Sequence, residues 1–539
     1  MAVAEGVARD VRAGGRWRVR APAVVLIPAV MVALAMTLPL VYLLVRSLGA
    51  GAEAWDLLFR MRTVEVVVRT VGLIVMVTGA SVAIAVPLAW LTVRTDLPLR
   101  RVWSVATILP LAIPSYVGGL LVVVALGPRG MLQQLLEGLF GVERLPEIYG
   151  FPGAALTLTL LSYPFVLLTV RGALLRMDPA LEETSRGLGH GAWSTFFRIT
   201  LPQLRPAIGA GGLLVALYTL SDFGAVSLLR YETLTWAIFL QYEGFNRGMA
   251  AVLSLMLVGV AAVILLMEAG TRGRSRYYRS TAGTVRPVRV TPLGGWRWPA
   301  FGFCGGVVLT ALVLPLSILG YWVLRGISAG EPLAFLWGRA LNSVYVSVLA
   351  AGVVVAAALP VALLAVRYPG WLGMVIERLS YIGFALPGIV VALALVFFGI
   401  AYAPMLYQTV GLLIFAYAIL FLPTALGAVR TSLLQVNPGL EEAARSLGRR
   451  PLRVLTTVTL PLVGPGILAG ASLVFLVTLK ELPATLLLSP TGFQTLATSI
   501  WTAASEAFFA RAAAPSLLLI VVASLPTVWL LLRERKIAS

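Results

Sequence analysis

The chain has 539 residues, 59% of them hydrophobic and 12% charged, whereas a soluble globular domain carries about 25% charged residues. A mean hydropathy of +0.93 excludes a soluble or disordered chain, and a single cysteine excludes both a disulfide framework and a cysteine metal cluster. The net charge of +19 invites a nucleic-acid reading, which the placement of the charges removes.

Residues 1–21 form a basic segment containing Arg9, Arg12, Arg16, Arg18 and Arg20. The apolar run that follows is too long for a signal-peptide core and reads as a retained first span. Apolar blocks then recur at 22–46, 66–93, 104–126, 151–175, 207–228, 249–270, 299–324, 341–366, 380–402, 408–430, 467–489 and 512–532. Blocks of about 20 residues are what a helix needs to cross the hydrocarbon core. In lipid every backbone N–H and C=O must be satisfied within its own segment. The predicted fold is all-α and integral to the membrane, with about twelve transmembrane helices. With the N-terminus inside, most basic residues fall on the cytoplasmic side: the leading arginines, the linker at 271–298, and the tail at 533–539 with Arg533, Arg535 and Lys536. This positive-inside pattern places both termini in the cytoplasm. The excess charge then faces anionic lipid headgroups and cytoplasmic partners rather than nucleic acid. Cys304, inside a span, reads as a small buried apolar residue.

Pro114 lies mid-span in the third block and predicts a kink that shapes a cavity. The next cytoplasmic loop opens with Asp178-Pro179, an N-cap acceptor followed by proline at the first helical position. Glu182 and Glu183 complement the dipole of the helix so started, and Gly189 permits a sharp turn. His190, the only histidine, reads as a solvated or docking residue. Trp193, Phe196 and Phe197 follow at helical spacing, and a second short helical stretch ends at Leu201-Pro202 just before the fifth span. An apolar stripe flanked by arginines, in a loop remote from lipid, suits docking into a partner's groove. Within the fifth block, Ser221 and Asp222 place a polar pair where ionisable groups are costly and usually face a water-filled interior.

The second half repeats the first. Pro164, Arg171, Glu183, Gly189, Pro202 and Pro206 recur as Pro423, Arg430, Glu442, Gly448, Pro461 and Pro465, a constant spacing of 259. Earlier in each half the spacing is 273, pairing Pro87 with Pro360, Arg94 with Arg367 and Pro114 with Pro387. The difference falls in a longer external loop at roughly 127–150. Two units in the same orientation, 22–270 and 299–532, imply a pseudo-two-fold axis along the membrane normal with a pathway at the repeat interface. The second loop carries Asn437-Pro438, Glu441, Glu442, Gly448, Leu452 and Leu455. Lys480 and Glu481 stand where Ser221 and Asp222 stand in the first half, with Lys480 expected to pair with one of the acids. The carboxylates either line the translocation path or hold helix ends at the outer interface.

Glu442-Ala443-Ala444, then Gly448, then Val458, Leu460 and Pro461, resembles the EAA loop of ATP-binding-cassette importer permeases. The first copy reads Glu183-Thr184-Ser185 but keeps Gly189, Ile199, Leu201 and Pro202 at the same spacing. The resemblance implies two tandem six-helix type I importer repeats whose loops sit in clefts of a homodimeric ATP-binding subunit on the cytoplasmic side. No GxxxxGK[ST] phosphate loop occurs in the sequence, so ATP and Mg are expected on that partner and no ATPase site in this chain. Ser221-Asp222-Phe223-Gly224 with Leu229-Arg230-Tyr231 and Ala237-Ile238 looks like the fused permeases of bacterial ferric-iron importers. Lys480-Glu481-Leu482-Pro483 through Leu488, with Phe493, Leu496-Ala497-Thr498 and Trp501, resembles their second half more closely still. That family implies a periplasmic or lipid-anchored solute-binding protein, location in the bacterial inner membrane, and ferric iron as cargo. Thiamine permeases share the fused architecture and keep a second cargo open. Iron calls for hard oxygen ligands, yet no acidic cluster is dense enough for a high-affinity metal site. A twelve-span secondary transporter would also carry parallel repeats, but has no use for two Glu–Gly–Leu-Pro loops.

Overall fold

The computed structural model describes residues 21–177, 180–271, 290–331 and 334–538. Among these, every regular element is helical. Eleven helices are long and apolar enough to cross a membrane, or twelve if one broken pair counts as a span.

In the first half the principal helices are α1 (Ala23–Leu48), α2 (Met61–Arg94), α3 (Ser115–Leu126), α4 (Phe151–Arg176), α5 (Ala180–Gly187), α6 (Leu201–Ser221), α7 (Gly224–Leu228), α8 (Leu234–Glu243) and α9 (Arg247–Thr271). In the second they are α10 (Leu314–Ser328), α11 (Ala334–Arg367), α12 (Gly388–Tyr402), α13 (Val410–Gln435), α14 (Pro438–Ser446), α15 (Leu460–Leu479), α16 (Pro483–Leu488), α17 (Leu496–Ser505) and α18 (Phe509–Ala538).

The chain forms two compact units. Among the described residues, one holds those within 1–38, 350–383 and 421–474, and the other those within 39–349, 384–420 and 475–539. Compactness therefore divides the chain differently from repetition, because 384–420 and 475–539 of the second half are counted with the first half. In the larger unit α2, α4 and α6 enclose a core that includes Leu88, Leu158, Val166, Leu204 and Val215. Gly211 of α6 lets two backbones meet: a Cβ there would lie 2.7 Å from Val166 Cα. In the smaller unit the repeat-related Gly470 of α15 faces Ala425 of α13, with its Cβ position 3.4 Å from Ala425 Cα. Small residues at matched places set the distance between the same two helices in each half.

Three expectations change. The fifth span of each half begins and ends earlier than hydropathy suggests. Its helix starts at Leu201 or Leu460 and stops at Ser221 or Leu479, and a separate short helix follows. Leu201-Pro202 and Leu460-Pro461 do not end the second loop helix. That helix runs into the span through a π turn at Phe196–Thr200 or Leu455–Thr459, closed by Leu201 N–H on Phe196 O and Leu460 N–H on Leu455 O. A proline one residue on has no N–H to donate, so widening the ladder just before it keeps the helix continuous. Pro114 and Pro387 do not kink a continuous helix. Each is the N-cap of a new one, α3 and α12, after a 3-10 segment at Leu109–Ala112 or Ile382–Ala385.

Candidate functional site

The loop helices α5 and α14 are tied down by the same pair of side chains. Arg94 ends α2, and its guanidinium lies 3.8 Å from Glu182 on α5, an ion pair rather than a hydrogen bond. Arg367 ends α11 and meets Glu441 on α14 at 3.0 Å. Thr200 and Thr459, the last residues of the π turns, donate to Glu182 Oε1 at 2.8 Å and Glu441 Oε1 at 3.1 Å. Each arginine spends a further N–H on a main-chain carbonyl, Leu174 or Val436, both at 3.1 Å. Arg94 is 2% exposed, so the charge is buried; Glu182 and the Leu174 carbonyl offset part of that cost, while its Nε and Nη1 have no hydrogen-bond acceptor. Two elements, a span end and a π turn, thus converge on the first carboxylate of each loop helix.

The end of each helix is also matched. Gly189 and Gly448 have φ of +86° and +79°. Around them Gly189 N–H donates to Arg186 O and His190 N–H to Ser185 O, while Gly448 N–H donates to Arg445 O and Arg449 N–H to Ala444 O. These crossed bonds close the last carbonyls of the helix and turn the chain in the left-handed region where glycine is unstrained. At the start of α14, Asn437 accepts from Gly439 N–H at 3.0 Å; its counterpart Asp178-Pro179 lies outside the described residues.

Clamped on one side, each loop presents an apolar face on the other. Trp193 is 64% exposed and Phe197 57%, stacked at 6.2 Å, while Leu452 is 60% exposed. Phe196 turns inward against Trp90 at 5.8 Å. Ile199, Val458, Leu201 and Leu460 are half-buried, Glu183 is half-buried, and Glu442, Ala443 and His190 are exposed. Leu188 and Leu447, 75% and 83% exposed, are the most prominent apolar tips, and sequence reasoning passed over them. Their signal was present: both immediately precede the turn glycine and repeat at the constant spacing. Ala444 is buried under α14, so the small residues of the loop motif include one that packs inward.

The second pair of matched segments follows the fifth helices. Asp222 Oδ1 accepts from Ala225 N–H at 3.0 Å and Val226 N–H at 3.2 Å. Glu481 accepts from Ala484 N–H and Thr485 N–H, both at 2.9 Å, and from the Thr485 hydroxyl at 2.8 Å. Both carboxylates thus sit on the N-termini of α7 and α16, where the free N–H groups and the helix dipole favour negative charge. Lys480 pairs with neither acid, contrary to expectation. Its ammonium donates to Leu111 O at 2.7 Å, since Glu481 is turned onto its own helix. That bond joins the second-half signature to the segment before Pro114. Gly224 packs against the first turn of α3, just after Pro114, its Cβ position 3.1 Å from Tyr116 N. In the second half Glu481 Oε1 fills the space beside Gly388, the residue after Pro387. Tyr417 shares a hydrogen bond of 2.7 Å with Thr485. Thr219 and Thr478, one turn before the carboxylates and related by the repeat, have buried hydroxyls without a partner. Among the described residues no group of His, Cys, Asp and Glu is arranged to hold a metal ion.

Comparison with known proteins adds four findings. The family of binding-protein-dependent transport system inner membrane components matches twice, over residues 81–272 and 349–539. The Fe(3+)-transport system permease protein FbpB 2 of Haemophilus influenzae is 38% identical over 503 residues, covering 92% of this chain and 96% of that one. The ferric transport system permease protein FbpB of Actinobacillus pleuropneumoniae is 26% identical, covering 71% of this chain and 60% of that one. The molybdenum transport system permease protein ModB of Escherichia coli is 34% identical over 188 residues, 33% of this chain and 80% of that one.

Proposed function

Because the chain belongs to the family of binding-protein-dependent transport system inner membrane components, matched in two tandem copies, we propose that it is the conducting subunit of an ATP-driven importer of ferric iron. The observation that carries the coupling part is the duplicated clamp. Arg94–Glu182 and Arg367–Glu441 hold two loop helices by one edge and leave Leu188, Trp193, Leu447 and Leu452 exposed. A rigidly held helix with an apolar tip can transmit a push; a loose one cannot. The receiving partner is an ATP-binding subunit, present as two copies and carrying ATP and Mg, and this chain supplies no ATPase chemistry. Cargo arrives from a solute-binding protein on the extracytoplasmic side, with both termini of this chain in the cytoplasm. Closure of the two ATP-binding copies moves both loops together and opens the path toward the binding protein, and their separation returns it inward.

Iron as cargo is supported by the full-length similarity to the Haemophilus ferric permease. The oxyanion permeases match only about a third of the chain. The segments Ser221–Asp222 and Lys480–Glu481 border the path. Their carboxylates hold short helices in place, and the transient oxygen contacts for a hydrated cation come from the surrounding hydroxyls and carbonyls.

The test is reconstitution of this chain with its ATP-binding subunit in proteoliposomes, adding the binding protein empty, ferric-loaded or thiamine-loaded. ATPase stimulation and ATP-dependent uptake only with the ferric form is the expected result. Stimulation by another loaded form would keep the architecture and change the cargo. Uptake without any ATPase subunit would overturn the importer reading.

A further inference from the structure

The larger unit contains a cavity of about 850 Å³ at the end of α3 that leads into the 127–150 loop. Its walls carry three arginines, Arg129, Arg144 and Arg325, and no carboxylate. Arg144 is neutralised by Glu147 at 2.7 Å. Arg129 and Arg325 have no carboxylate partner among the described residues; Arg325 lies over the Trp322 ring at 5.2 Å. Trp322 lines the same cavity, and Arg325 also reaches the Tyr321 hydroxyl at 3.4 Å. Two exposed guanidinium groups without a carboxylate partner on one cavity make it complementary to an anion with several acceptor oxygens.

A second feature says which anion. One turn along the same two helices lies an apolar groove of about 230 Å³. It is lined by Val122 and Leu126 of α3 and by Leu314, Pro315 and Ile318 of α10. Val123 and Gly127 line the basic cavity, as do Tyr321 and Trp322, so the two spaces adjoin on neighbouring faces at the end of α3 and follow one another along α10. A phosphoryl group beside an apolar slot on a membrane protein's flank is the shape of a phospholipid. We propose that this cavity and groove form a specific site for an anionic glycerophospholipid, with the phosphate on Arg129 and Arg325 and one acyl chain in the groove. The extra residues of the first-half external loop are then explained: they supply Arg129 and the floor of the headgroup site, which the second half lacks. On the proposed topology the site opens in the extracytoplasmic leaflet.

The experiment uses the full-length chain purified in a neutral detergent, with retained lipid read by native mass spectrometry after titration with phosphatidylglycerol, phosphatidylcholine or inorganic phosphate. One phosphatidylglycerol should be retained in preference to phosphatidylcholine, and millimolar phosphate should not displace it. The Arg129→Gln/Arg325→Gln variant should bind it about thirtyfold more weakly, the factor two interfacial cations contribute toward an anionic headgroup. Ile318→Trp, which fills the groove and leaves the arginines, should weaken lipid but not phosphate. Equal retention of both lipids by the wild-type chain overturns the proposal whatever the variants do. Displacement by phosphate alone would make the site one for a soluble anion and overturn the lipid assignment.

Discussion

Arg367→Met should release the second loop helix from the body that holds it. The Arg367 and Glu441 side chains are 12% and 7% exposed and 3.0 Å apart. At an effective dielectric of about 20 their attraction is about 5 kcal/mol, much of it offset by desolvation of both charges. Removing the arginine alone leaves Glu441 buried with Thr459 as its donor and the exposed Arg445 guanidinium at 4.0 Å, and breaking a buried pair in this way costs up to about 3–5 kcal/mol. The least costly relief is for α14 to swing its carboxylate into water. An opening free energy lower by about 3 kcal/mol raises local amide exchange on the order of a hundredfold. The informative amides are Leu447, which donates to Ala443 O, and Arg449, which donates to Ala444 O. Hydrogen exchange of the assembled transporter in nanodiscs reads them directly, and cargo moved per ATP hydrolysed should fall in parallel. In the double variant Arg367→Met/Glu441→Met no unpaired charge remains, so protection should return toward the wild-type value. Exchange at Leu447 and Arg449 within about twofold of wild type in the single variant, with the rest of the chain folded, would refute the clamp.

At Gly448 a Cβ would meet no atom within 4 Å, so only the left-handed backbone matters, worth about 1–2 kcal/mol for an L-residue. Gly448→Val should therefore reduce coupled uptake more than Gly448→Asn, and equal uptake rates would remove the turn from the coupling argument. Gly211→Ala should destabilise by about 1–3 kcal/mol because its Cβ would press on Val166 backbone. Gly470→Ala, with 3.4 Å available, should cost less, as a thermal unfolding series in detergent will show. Glu481→Gln keeps one carbonyl acceptor for the N-terminus of α16, whereas Glu481→Ala loses the whole cap, worth about 0.5–2 kcal/mol. Uptake should survive the first better than the second; equal loss in both would mean that the charge itself is used in transport.

Much of the loop chemistry was legible in the residues. Glu182 with Glu441, Gly189 with Gly448 and the Leu-Pro pairs stand out because duplication presents each twice at one spacing. The purpose of the glycines also followed locally, since a helix that must turn within one residue needs φ above zero. Arg94 and Arg367 were visible as repeat partners but not as the holders of Glu182 and Glu441. A buried ion pair between residues 74 or more positions apart has no local pattern to betray it. Lys480 was misassigned for the same reason. The sequence offers it Asp222 or Glu481, but both acids find backbone N–H groups at the start of a following helix, and Leu111 comes from another part of the chain.

Hydropathy and the duplication therefore sufficed for the fold class, for eleven or twelve candidate spans and for the two repeats. Each depends on chain-local quantities: the length of an apolar run and the spacing of identical residues. Where helices break, what the buried charges touch and which apolar tips stay exposed were decided by tertiary packing. Prolines at 114 and 387 start helices instead of bending them, and the carboxylates at 222 and 481 cap instead of pairing. In each case a side chain takes the nearest satisfied position in the folded bundle, and only the bundle determines what is near.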